Sequence, residues 1–454
     1  MPGAQPRIDR RETLPRPAVR NFAGVNRRGF LKSIGAAATL PVLGGGLAAC
    51  GSSDSDDVSA RTSQGDGAPT TTAGSNGPSG TSRSTNREVK VGFIALTDAA
   101  SVIMAFENGD YADRDLDVSV LKQASWPATR DALLNGDIDM AHCLFSMPTS
   151  LASGIGGTGE RDLRIAMMLN NNGQAITLSN EFADAGYADL DAVGEILRSR
   201  SAPSLAMTFP GGTHDLWLRY WIQATGTDAT TLSIQPIPPP QMVQNMASGT
   251  VQGYCVGEPW GAVAVSQDIG FTHITTQDIW RNHPEKALVT TARMVEERPD
   301  VVRDMIQSVL VSSRWLDDLD NRAAAADVIG QEQYVNAPPN DIRGRLTGVY
   351  EMGASIGRRD FEVEQMQFHR DGLTNFPRRS YVFWALAQYR RLGYVDDVPD
   401  PGDLADEMIL TDLYVEAAEA EGVDLPDDDM AAFDVLLDDV SFDPTDFDAE
   451  ATRT

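Results

Sequence analysis

Hydrophobic and polar positions along the chain follow the order of strands that alternate with helices. Short apolar or alternating runs at 89–95, 116–121 and 138–144 predict three strands. The segments between them have helical spacing, and they end at Gly109 and Gly136, residue types that commonly close a helix. The pattern therefore predicts an α/β fold from the first of these strands onward.

A similar unit recurs in the second half of the chain. A strand at 232–237 is followed by a helix from Pro240 to Gly249 and by a strand at 251–256. Proline suits the first turn of a helix and glycine its end, and the two are spaced here as in the helix that ends at Gly136. We interpret the repeat as two α/β lobes; chance similarity of common strand–helix–strand units is the alternative.

Connections between the lobes are predicted at 164–178 and 273–292, which are long apolar segments. Helical patterns at 293–315 and 381–394 are expected to pack on the first lobe. The predicted boundaries are 1–50 for a signal peptide, 51–87 for a disordered tether, 88–178 and 286–400 for lobe 1, 179–285 for lobe 2 and 401–454 for an acidic C-terminal tail.

The stretch 204–221 (SLAMTFPGGTHDLWLRYW) predicts a buried strand, a glycine turn and the start of an amphipathic helix. Thr213 is the expected N-cap, and Asp215 suits the positive end of the helix dipole. The unpaired N–H groups of such a helix start can hold an anion, and His214 adds a donor there. Taken alone, this stretch is better explained by a core histidine beside an ordinary strand–helix turn, and the motifs below reverse that preference.

The N-terminal residues have the features of an export address. Residues 26–32 (NRRGFLK) resemble a twin-arginine signal, and the apolar stretch 34–48 is too short to span a bilayer comfortably. A lipobox-like sequence leads to Cys50, so we expect its lipidation, followed by the polar tether. The protein would then be extracytoplasmic and anchored to the cell membrane by this lipid alone; no later segment approaches the length of a transmembrane helix.

The amino-acid composition limits the kinds of ligand and partner that we expect for this protein. The 454-residue chain carries a formal net charge of −28, which argues against nucleic acid and requires any anion site to supply its own positive charge. The histidines show no metal-ligand spacing, and we expect neither a metal nor a cofactor. Cys143 and Cys255 lie in apolar strand-like segments, so buried free thiols are the simpler interpretation, although a disulfide between them is conceivable.

Acidic residues dominate the C-terminal segment. We expect 401–454 to be a solvated tail with at most one helix, at 430–437. The carboxylates are spaced too widely for a calcium-binding loop.

Several stretches together resemble the nitrate- and bicarbonate-binding proteins of ABC transporters. They are 92–98 (GFIALTD), 124–126 (ASW), 172–178 (NGQAITL), 238–242 (PPPQM), 256–260 (VGEPW) and 278–286 (DIWRNHPEK). No single motif is decisive, but their order and combination are specific, and the resemblance covers roughly residues 89–394. It implies a type II periplasmic binding protein, in which two α/β lobes joined by crossing segments close a cleft on a small oxyanion.

The resemblance also implies a set of ligand-binding residues. In nitrate-binding members the ligand is held by tryptophan, glutamine, histidine and lysine side chains and by a Gly-Glu-Pro loop. The matching positions are Trp126, Gln174, His214, Gly257, Glu258 and Lys286. We expect Trp126 and Gln174 to approach from one side of the cleft, and His214, Gly257 and Lys286 from the other.

The chemistry of this set fits a flat anion. Nitrate only accepts hydrogen bonds, so its burial demands donors and a compensating charge. The indole N–H of Trp126 donates without accepting, and the amide of Gln174 donates twice. The imidazole of His214 adds one or two donors, Lys286 supplies the positive charge, and Gly257 lets a backbone N–H come close.

Each residue has an ordinary structural alternative. Trp126 could be a core aromatic, Gln174 part of a turn and Lys286 a surface charge. Glu258 would repel an anion, so we expect it to pair beside the site and to hold His214 or Lys286 in place. The agreement of several donors with one ligand favours the site over these alternatives.

Other ligands of the same family remain open. Bicarbonate carries a hydroxyl that needs an acceptor, and in that branch calcium can assist; Lys286 therefore favours nitrate or nitrite, whereas Glu258 or Glu285 pointing inward would reverse the preference. Sulfonate- and taurine-binding relatives are a third option. A thiamine-pyrimidine-synthase-like enzyme on the same fold is disfavoured by the export signal and by the absence of a nucleophile–base pair.

A nitrate-sensing domain detached from a transporter ATPase is a further alternative, although no phosphate-binding loop is fused here. The favoured function is the extracytoplasmic substrate-binding component of an ABC importer and not an enzyme. It would capture nitrate or nitrite between its lobes and deliver the anion to a membrane permease that a cytoplasmic ATPase drives.

Overall fold

The structure is a computed structural model, and it describes residues 85–362 and 365–453. The predicted signal peptide, the lipidation of Cys50 and all but the end of the tether lie outside these residues. No helix in the described residues has the length and apolar character needed to cross a membrane.

Strands and helices alternate through most of the described chain. The strands are β1 (Glu88–Ile94), β2 (Asp117–Gln123), β3 (Met140–Leu144), β4 (Leu163–Asn171), β5 (Gln174–Ser179), β6 (Ser204–Met207), β7 (Ser233–Pro236), β8 (Gly253–Gly257), β9 (Gly270–Thr275), β10 (Pro284–Thr291), β11 (Val349–Glu351), β12 (Arg358–Asp360), β13 (Phe433–Val435) and β14 (Val440–Phe442). The helices are α1 (Ala100–Glu107), α2 (Trp126–Asn135), α3 (Met147–Ala152), α4 (Leu190–Ser199), α5 (Thr213–Ala224), α6 (Met242–Ala247), α7 (Trp260–Ser266), α8 (Ala292–Glu297), α9 (Pro299–Trp315), α10 (Leu319–Ile329), α11 (Pro339–Thr347), α12 (Arg379–Arg391), α13 (Pro401–Met408), α14 (Thr411–Ala420) and α15 (Phe447–Ala451).

Two five-stranded sheets form the centres of two lobes. The first sheet has the order β2-β1-β3-β10-β4 and the second the order β7-β6-β8-β5-β9. In each, three parallel strands are followed by a strand that runs antiparallel to both of its neighbours, β10 in the first sheet and β5 in the second. The sheets thus share one topology, which agrees with the repeat in the sequence.

The chain crosses between the sheets twice. Strand β4 of the first sheet ends at Asn171 and β5 of the second begins at Gln174, so Asn172 and Gly173 alone make the first crossing. Both have positive φ, 60° and 93°. This bend suits glycine, and a Cβ at Gly173 would also lie 2.4 Å from the side chain of Met366. The second crossing runs from the end of β9 to the start of β10.

The crossings lie at other residues than the predicted boundaries. Residues 174–178, expected in lobe 1, form most of β5 in the second sheet, whereas Glu285, expected in lobe 2, lies in β10 of the first. The reason is that each apolar crossing segment is divided by its turn, and its two halves pair with different sheets.

Local sequence signals fix both ends of α2, and the predicted end at Gly136 is confirmed. The Ser125 side chain accepts a hydrogen bond from the N–H of Ala128 at 3.2 Å, so it caps α2, and Gly136 ends that helix with a φ of 77°. Cys143 and Cys255 are buried free thiols, as expected, and burial raises the pKa of both.

Two helix predictions need correction. The N-cap of α5 is Gly212, not Thr213, because the Thr213 hydroxyl is used in a buried contact described below. The predicted helix at 293–315 is divided into α8 and α9 at Arg298, since Pro299 has no N–H to continue the first helix.

The expected solvated tail is instead folded against both lobes and α12. Glu450 accepts from the Gln388 amide near the end of α12, and Asp438 accepts from the Tyr220 hydroxyl of α5. Tyr414 and Phe442 are buried there, and Phe433 stacks on Trp280 with ring centroids 4.0 Å apart. The predicted helix at 430–437 is wrong, because β13 and β14 form a hairpin in this segment. Several of its carboxylates pair with arginines, as where Arg379 contacts Asp406 and Asp429. Acidity alone was therefore a poor guide to whether this segment is solvated.

Candidate functional site

A buried charged cluster lies where the two sheets meet. Its centre is the Lys286 ammonium near the start of β10, and the side chain is fully buried. The Nζ atom lies 2.7 Å from Asp98 Oδ2 and 2.8 Å from Glu285 Oε1. Burial opposes the charged form of Lys286, but the two carboxylates raise its pKa above the ordinary value. The cation is therefore held between two anions.

A β-bulge brings the neighbouring residues Glu285 and Lys286 into contact. In a regular strand, successive side chains point to opposite faces. Here the pairing of β10 with β4 shifts between Pro284 and Lys286, so Glu285 is an extra residue in the ladder. The shift places the carboxylate beside the ammonium of the next residue.

The Glu285 carboxylate also faces the start of α5. Thr213 Oγ1 donates to Oε1 at 2.6 Å, and Trp217 Nε1 donates to Oε2 at 3.2 Å. His214 Nε2 lies 3.2 Å from Oε1, within ion-pair distance but not aligned for a hydrogen bond. Burial raises the pKa of Glu285, but Lys286 and His214 outweigh it and bring the pKa below the ordinary value. An internal anion therefore occupies the helix start at which the sequence predicted an external one.

Asp98 is the second anion of the cluster. It follows β1 in the 3₁₀ turn that precedes α1, and its Oδ1 accepts from His142 Nε2 at 2.7 Å. The Gln174 amide donates to Oδ2 at 3.5 Å, beside the ammonium contact. Burial raises the pKa of Asp98, yet Lys286 and His142 together lower it below the ordinary value. Burial lowers the pKa of His142, so a neutral imidazole donates to an ionised carboxylate.

Five of the six predicted ligand-binding residues adjoin this cluster. The Trp126 ring centroid lies 5.8 Å from Lys286 Nζ, and Gln174 contacts Asp98 as described. Gly257 pairs with Gln174 across β5 and β8, and a Cβ on Gly257 would lie 3.1 Å from Asp98 Oδ2. His214 borders Glu285. The sides differ from the expectation, because Gln174 belongs to the second sheet and Lys286 to the first.

Glu258 is turned away from the cluster. Its Oε2 accepts from the N–H of Ala262 at 3.0 Å, and its Oε1 lies 3.3 Å from Nε of Arg345. The expected pairing with His214 or Lys286 is therefore wrong, and Glu285 has that role instead. The backbone of Glu258 does join the sheets, since its carbonyl accepts from the N–H of Thr97 at 2.7 Å.

Three buried ring nitrogens around the cluster have no hydrogen-bond partner among the described residues. They are Trp126 Nε1, His142 Nδ1 and His214 Nε2. The His142 and Trp126 rings lie 5.9 Å apart, and both tryptophan and histidine rings are fully buried. Unpartnered buried nitrogens are costly. A small acceptor enclosed here would satisfy the Trp126 N–H and an N–H at His214 Nε2, whereas Nδ1 of the neutral His142 ring is itself an acceptor.

The described residues contain no group of three or more histidine, cysteine, aspartate or glutamate side chains arranged to hold a metal ion. Lys286 supplies the positive charge between Asp98 and Glu285. The arrangement therefore fits a site that binds through hydrogen-bond donors and an ammonium.

Sequence reasoning missed Asp98, His142, Thr213, Trp217 and Glu285 as members of this cluster. A signal existed for Asp98, which ends the 92–98 stretch at the carboxyl end of a predicted strand, where ligands gather. His142 was a lone polar residue in an apolar strand. A second signal was Lys286 itself, because a lysine that is expected to be buried requires nearby carboxylates as counter-charges.

Known proteins similar to this chain include binding proteins for two anions. The NMT1-like family matches residues 82–330. The nitrate/nitrite binding protein NrtA of Synechococcus elongatus is 36% identical over 437 residues, 92% of this chain and 95% of that protein. The bicarbonate-binding protein CmpA of the same species is 28% identical over 445 residues, 93% of this chain and 96% of that protein.

A solved structure shows the same architecture. The crystal structure of the periplasmic nitrate-binding protein NrtA from Synechocystis PCC 6803 matches with a TM-score of 0.78 and 33% identity, over 82% of this chain and 99% of that one. The predicted type II periplasmic binding fold is thereby confirmed. The two sheets, the whole-length similarity and the family match together establish that the chain belongs to the NMT1-like family, in the group of periplasmic binding proteins that includes NrtA.

Proposed function

We propose that this protein is the substrate-binding component of an ABC importer that captures nitrate or nitrite between its lobes. The observation that carries the proposal is the buried Lys286 ammonium at the junction of the two sheets, with the unpartnered indole N–H of Trp126 and the unpartnered Nε2 of His214 in the same cluster. A flat anion that only accepts hydrogen bonds suits such donors. The greater identity to the nitrate/nitrite binding protein than to the bicarbonate-binding one supports the same ligand.

Both lobes contribute to the proposed site. Trp126 and Lys286 come from the first lobe, and Gln174, His214 and Gly257 from the second. Opening of the lobes would admit the anion, and closure would remove its water while completing the set of donors. The closed form would dock on a membrane permease driven by a cytoplasmic ATPase. The protein is thus a binding protein and not an enzyme.

Bicarbonate is the second candidate because Glu285 points into the cluster. Its carboxylate and that of Asp98 are acceptors that could take the hydroxyl proton of bicarbonate. An inward carboxylate at Glu285 is the orientation expected to reverse the preference for nitrate that Lys286 indicates. Both carboxylates already accept from the ammonium and other donors, however, which leaves them less free to serve a ligand.

Calorimetric titration with an anion panel tests the proposal. The panel contains nitrate, nitrite, bicarbonate with and without calcium, and an alkylsulfonate. We expect saturable binding of nitrate or nitrite with no requirement for calcium, and weaker or no binding of the others. Binding of bicarbonate in preference to nitrate would replace the first candidate by the second, and binding of the sulfonate alone would contradict both.

Lipid anchoring outside the cytoplasm is a finer part of the proposal. It is supported by the twin-arginine-like motif at 26–32 and by the lipobox-like residues before Cys50. A lipid on Cys50 and the polar residues 51–87 would hold the binding domain close to its permease. Metabolic labelling with a fatty acid should mark the wild-type chain and leave Cys50→Ala unlabelled; equal labelling of both would exclude this site of attachment.

A further inference from the structure

The buried cluster has an unbalanced charge before any ligand enters. One ammonium, on Lys286, contacts two carboxylates, those of Asp98 and Glu285. Both carboxylates have pKa values below their ordinary range, so both are ionised, and one positive and two negative charges leave a net charge of −1. A nitrate ion would raise the buried negative charge further.

Such a charge needs a counter-charge within the site. An uncompensated ion in a protein interior is strongly disfavoured, and it is normally avoided by proton binding or release. The other titratable groups around the two carboxylates are the imidazoles of His142, His214 and His283 and the thiols of Cys143 and Cys255. Burial raises the pKa of both thiols, so they stay neutral and supply no positive charge.

The hydrogen bonds of the three imidazoles decide which can accept a proton most readily. His283 uses Nδ1 on the carbonyl of Pro284 at 3.0 Å and Nε2 on the hydroxyl of Thr276 at 2.8 Å, and burial lowers its pKa to about 4. His142 already contacts Asp98 through Nε2, and its Nδ1 has no acceptor among the described residues. A proton added to either ring would gain no new protein partner.

His214 differs from both. Its Nδ1 lies 2.7 Å from the Thr208 hydroxyl, which can either donate or accept. Its Nε2 lies 3.2 Å from Glu285 Oε1. Burial lowers the pKa of His214 too, and the Glu285 carboxylate opposes that shift. The imidazolium form would have the hydroxyl as acceptor on one side and, on the other, a carboxylate at ion-pair distance.

We propose that each anion captured by this site brings in one proton, which the His214–Glu285 pair holds. With this proton, the net charge of the cluster with its anion is −1, the same as that of the free cluster. The proton also weakens the attraction between the Lys286 ammonium and Glu285. The two residues form one coupled titrating unit, and the proton belongs to the pair. This inference rests on the proposed capture of nitrate or nitrite.

Calorimetry in several buffers tests the inference on the full binding protein. Nitrate is titrated at about pH 7 in Bis-Tris, imidazole and Tris buffers with the same chloride concentration. The dependence of the measured enthalpy on the ionisation enthalpy of the buffer gives the number of protons taken up, and we expect about one for each nitrate. Between about pH 6 and pH 8.5, Kd should rise by up to about tenfold for each pH unit.

Glu285→Gln is the informative variant, because it removes one negative charge and keeps the shape of the side chain. Its cluster starts at a net charge of zero and reaches −1 with nitrate alone, so proton uptake should fall close to zero and Kd should become nearly independent of pH. His214→Gln should also abolish uptake. His273→Gln removes a buried histidine that contacts Gly186 rather than this cluster, and it should leave proton uptake unchanged.

The inference would be overturned if the binding enthalpy of the wild type did not depend on the buffer and its Kd stayed constant across this pH range. The proposed capture of nitrate would still stand in that case. Undiminished proton uptake in both Glu285→Gln and His214→Gln would also overturn it, by placing the proton elsewhere. Absence of nitrate binding in every buffer would instead contradict the proposed function, and the inference would fail with it.

Discussion

The two sheets have the same strand order but supply different chemistry to the cluster. The first sheet and its loops carry Asp98, Glu285 and Lys286, the charged residues. The second sheet and its helix α5 carry neutral groups, the amide of Gln174 and the ring of His214. The two lobes thus share a topology but differ in chemistry: the first holds the charged groups of the cluster, and the second donates hydrogen bonds across the junction. The proposed site is complete only when both lobes are together.

The largest effect is expected from removing the cation of the first sheet. Lys286→Met keeps an apolar chain of similar length but leaves Asp98 and Glu285 buried without their counter-charge. We expect a loss of about 3–5 kcal/mol in unfolding free energy and no measurable nitrate binding. Denaturant unfolding and calorimetric titration measure the two quantities.

Lys122→Met is the matched control, since Lys122 is an exposed residue of β2 whose ammonium donates to the backbone carbonyl of Glu332. This variant should retain the unfolding free energy and the nitrate affinity of the wild type. Nitrate affinity that survives Lys286→Met would remove this ammonium from the site.

Acidification is expected to weaken the second sheet through its buried histidine His273. Burial lowers the pKa of His273 to about 4, below the ordinary value of 6.5. Between these values the unfolded chain binds a proton that the folded chain does not, so the free energy of unfolding falls as pH falls from about 6.5 to 4. A shift of this size corresponds to about 3 kcal/mol over the whole window, of which about 2 kcal/mol is lost between pH 7 and pH 5. Above this window the contribution is fully present.

Urea unfolding at about pH 7 and pH 5 measures this loss, and His273→Gln should lose less stability on acidification than the wild type does. Equal losses in both proteins would show that His273 does not carry this dependence.

A smaller effect is expected where the second sheet approaches the charges of the first. Gly257→Ala places a Cβ 3.1 Å from Asp98 Oδ2 and 3.3 Å from Leu96, which crowds the closed junction. We expect about 1–2 kcal/mol weaker nitrate binding, because closure must displace these atoms. Titration calorimetry measures the change.

Gly402→Ala is a control in α13, where the new Cβ would lie near Asp400 alone. Its nitrate affinity should equal that of the wild type. If Gly257→Ala bound nitrate as tightly as the wild type, the lobes of the nitrate-bound protein would be less tightly closed at Gly257 than the lobes of this structure are.

The smallest effect is expected from Trp126→Phe, which removes an indole N–H that has no partner in this structure. Because no protein hydrogen bond is lost, stability should change little, while nitrate binding should weaken by about 1 kcal/mol. Trp221→Phe is the matched control, since Trp221 is equally buried, lacks a partner for its Nε1 and packs against His273. An equal loss of affinity in both variants would argue against a direct contact from Trp126.

Much of the fold could be predicted because its signals are local. The glycine that ends α2 and the apolar strands could be identified from a few neighbouring residues. The repeated unit also anticipated the shared strand order. The acidic C-terminal segment was misjudged because charge content conceals the spacing of its few apolar residues, such as Tyr414 and Phe442, which are the ones that pack.

The cluster was only partly predictable because it depends on contacts between distant residues and on one irregular strand. Asp98 meets Lys286 across 188 positions of sequence. The bulge at Glu285 breaks the alternation by which strand residues are assigned to faces, so its contact with Lys286 could not be inferred from spacing. The resemblance pointed to the donors of the proposed site, and the structure shows the carboxylates that lie beside them.

A crystal structure of the wild-type protein grown with nitrate tests the central claim most directly. The account predicts one planar anion enclosed between the sheets, in hydrogen-bond contact with Trp126 Nε1 and with the Lys286 ammonium. Nitrate bound elsewhere on the protein, with the cluster of Asp98, Glu285 and Lys286 unchanged and empty, would contradict it.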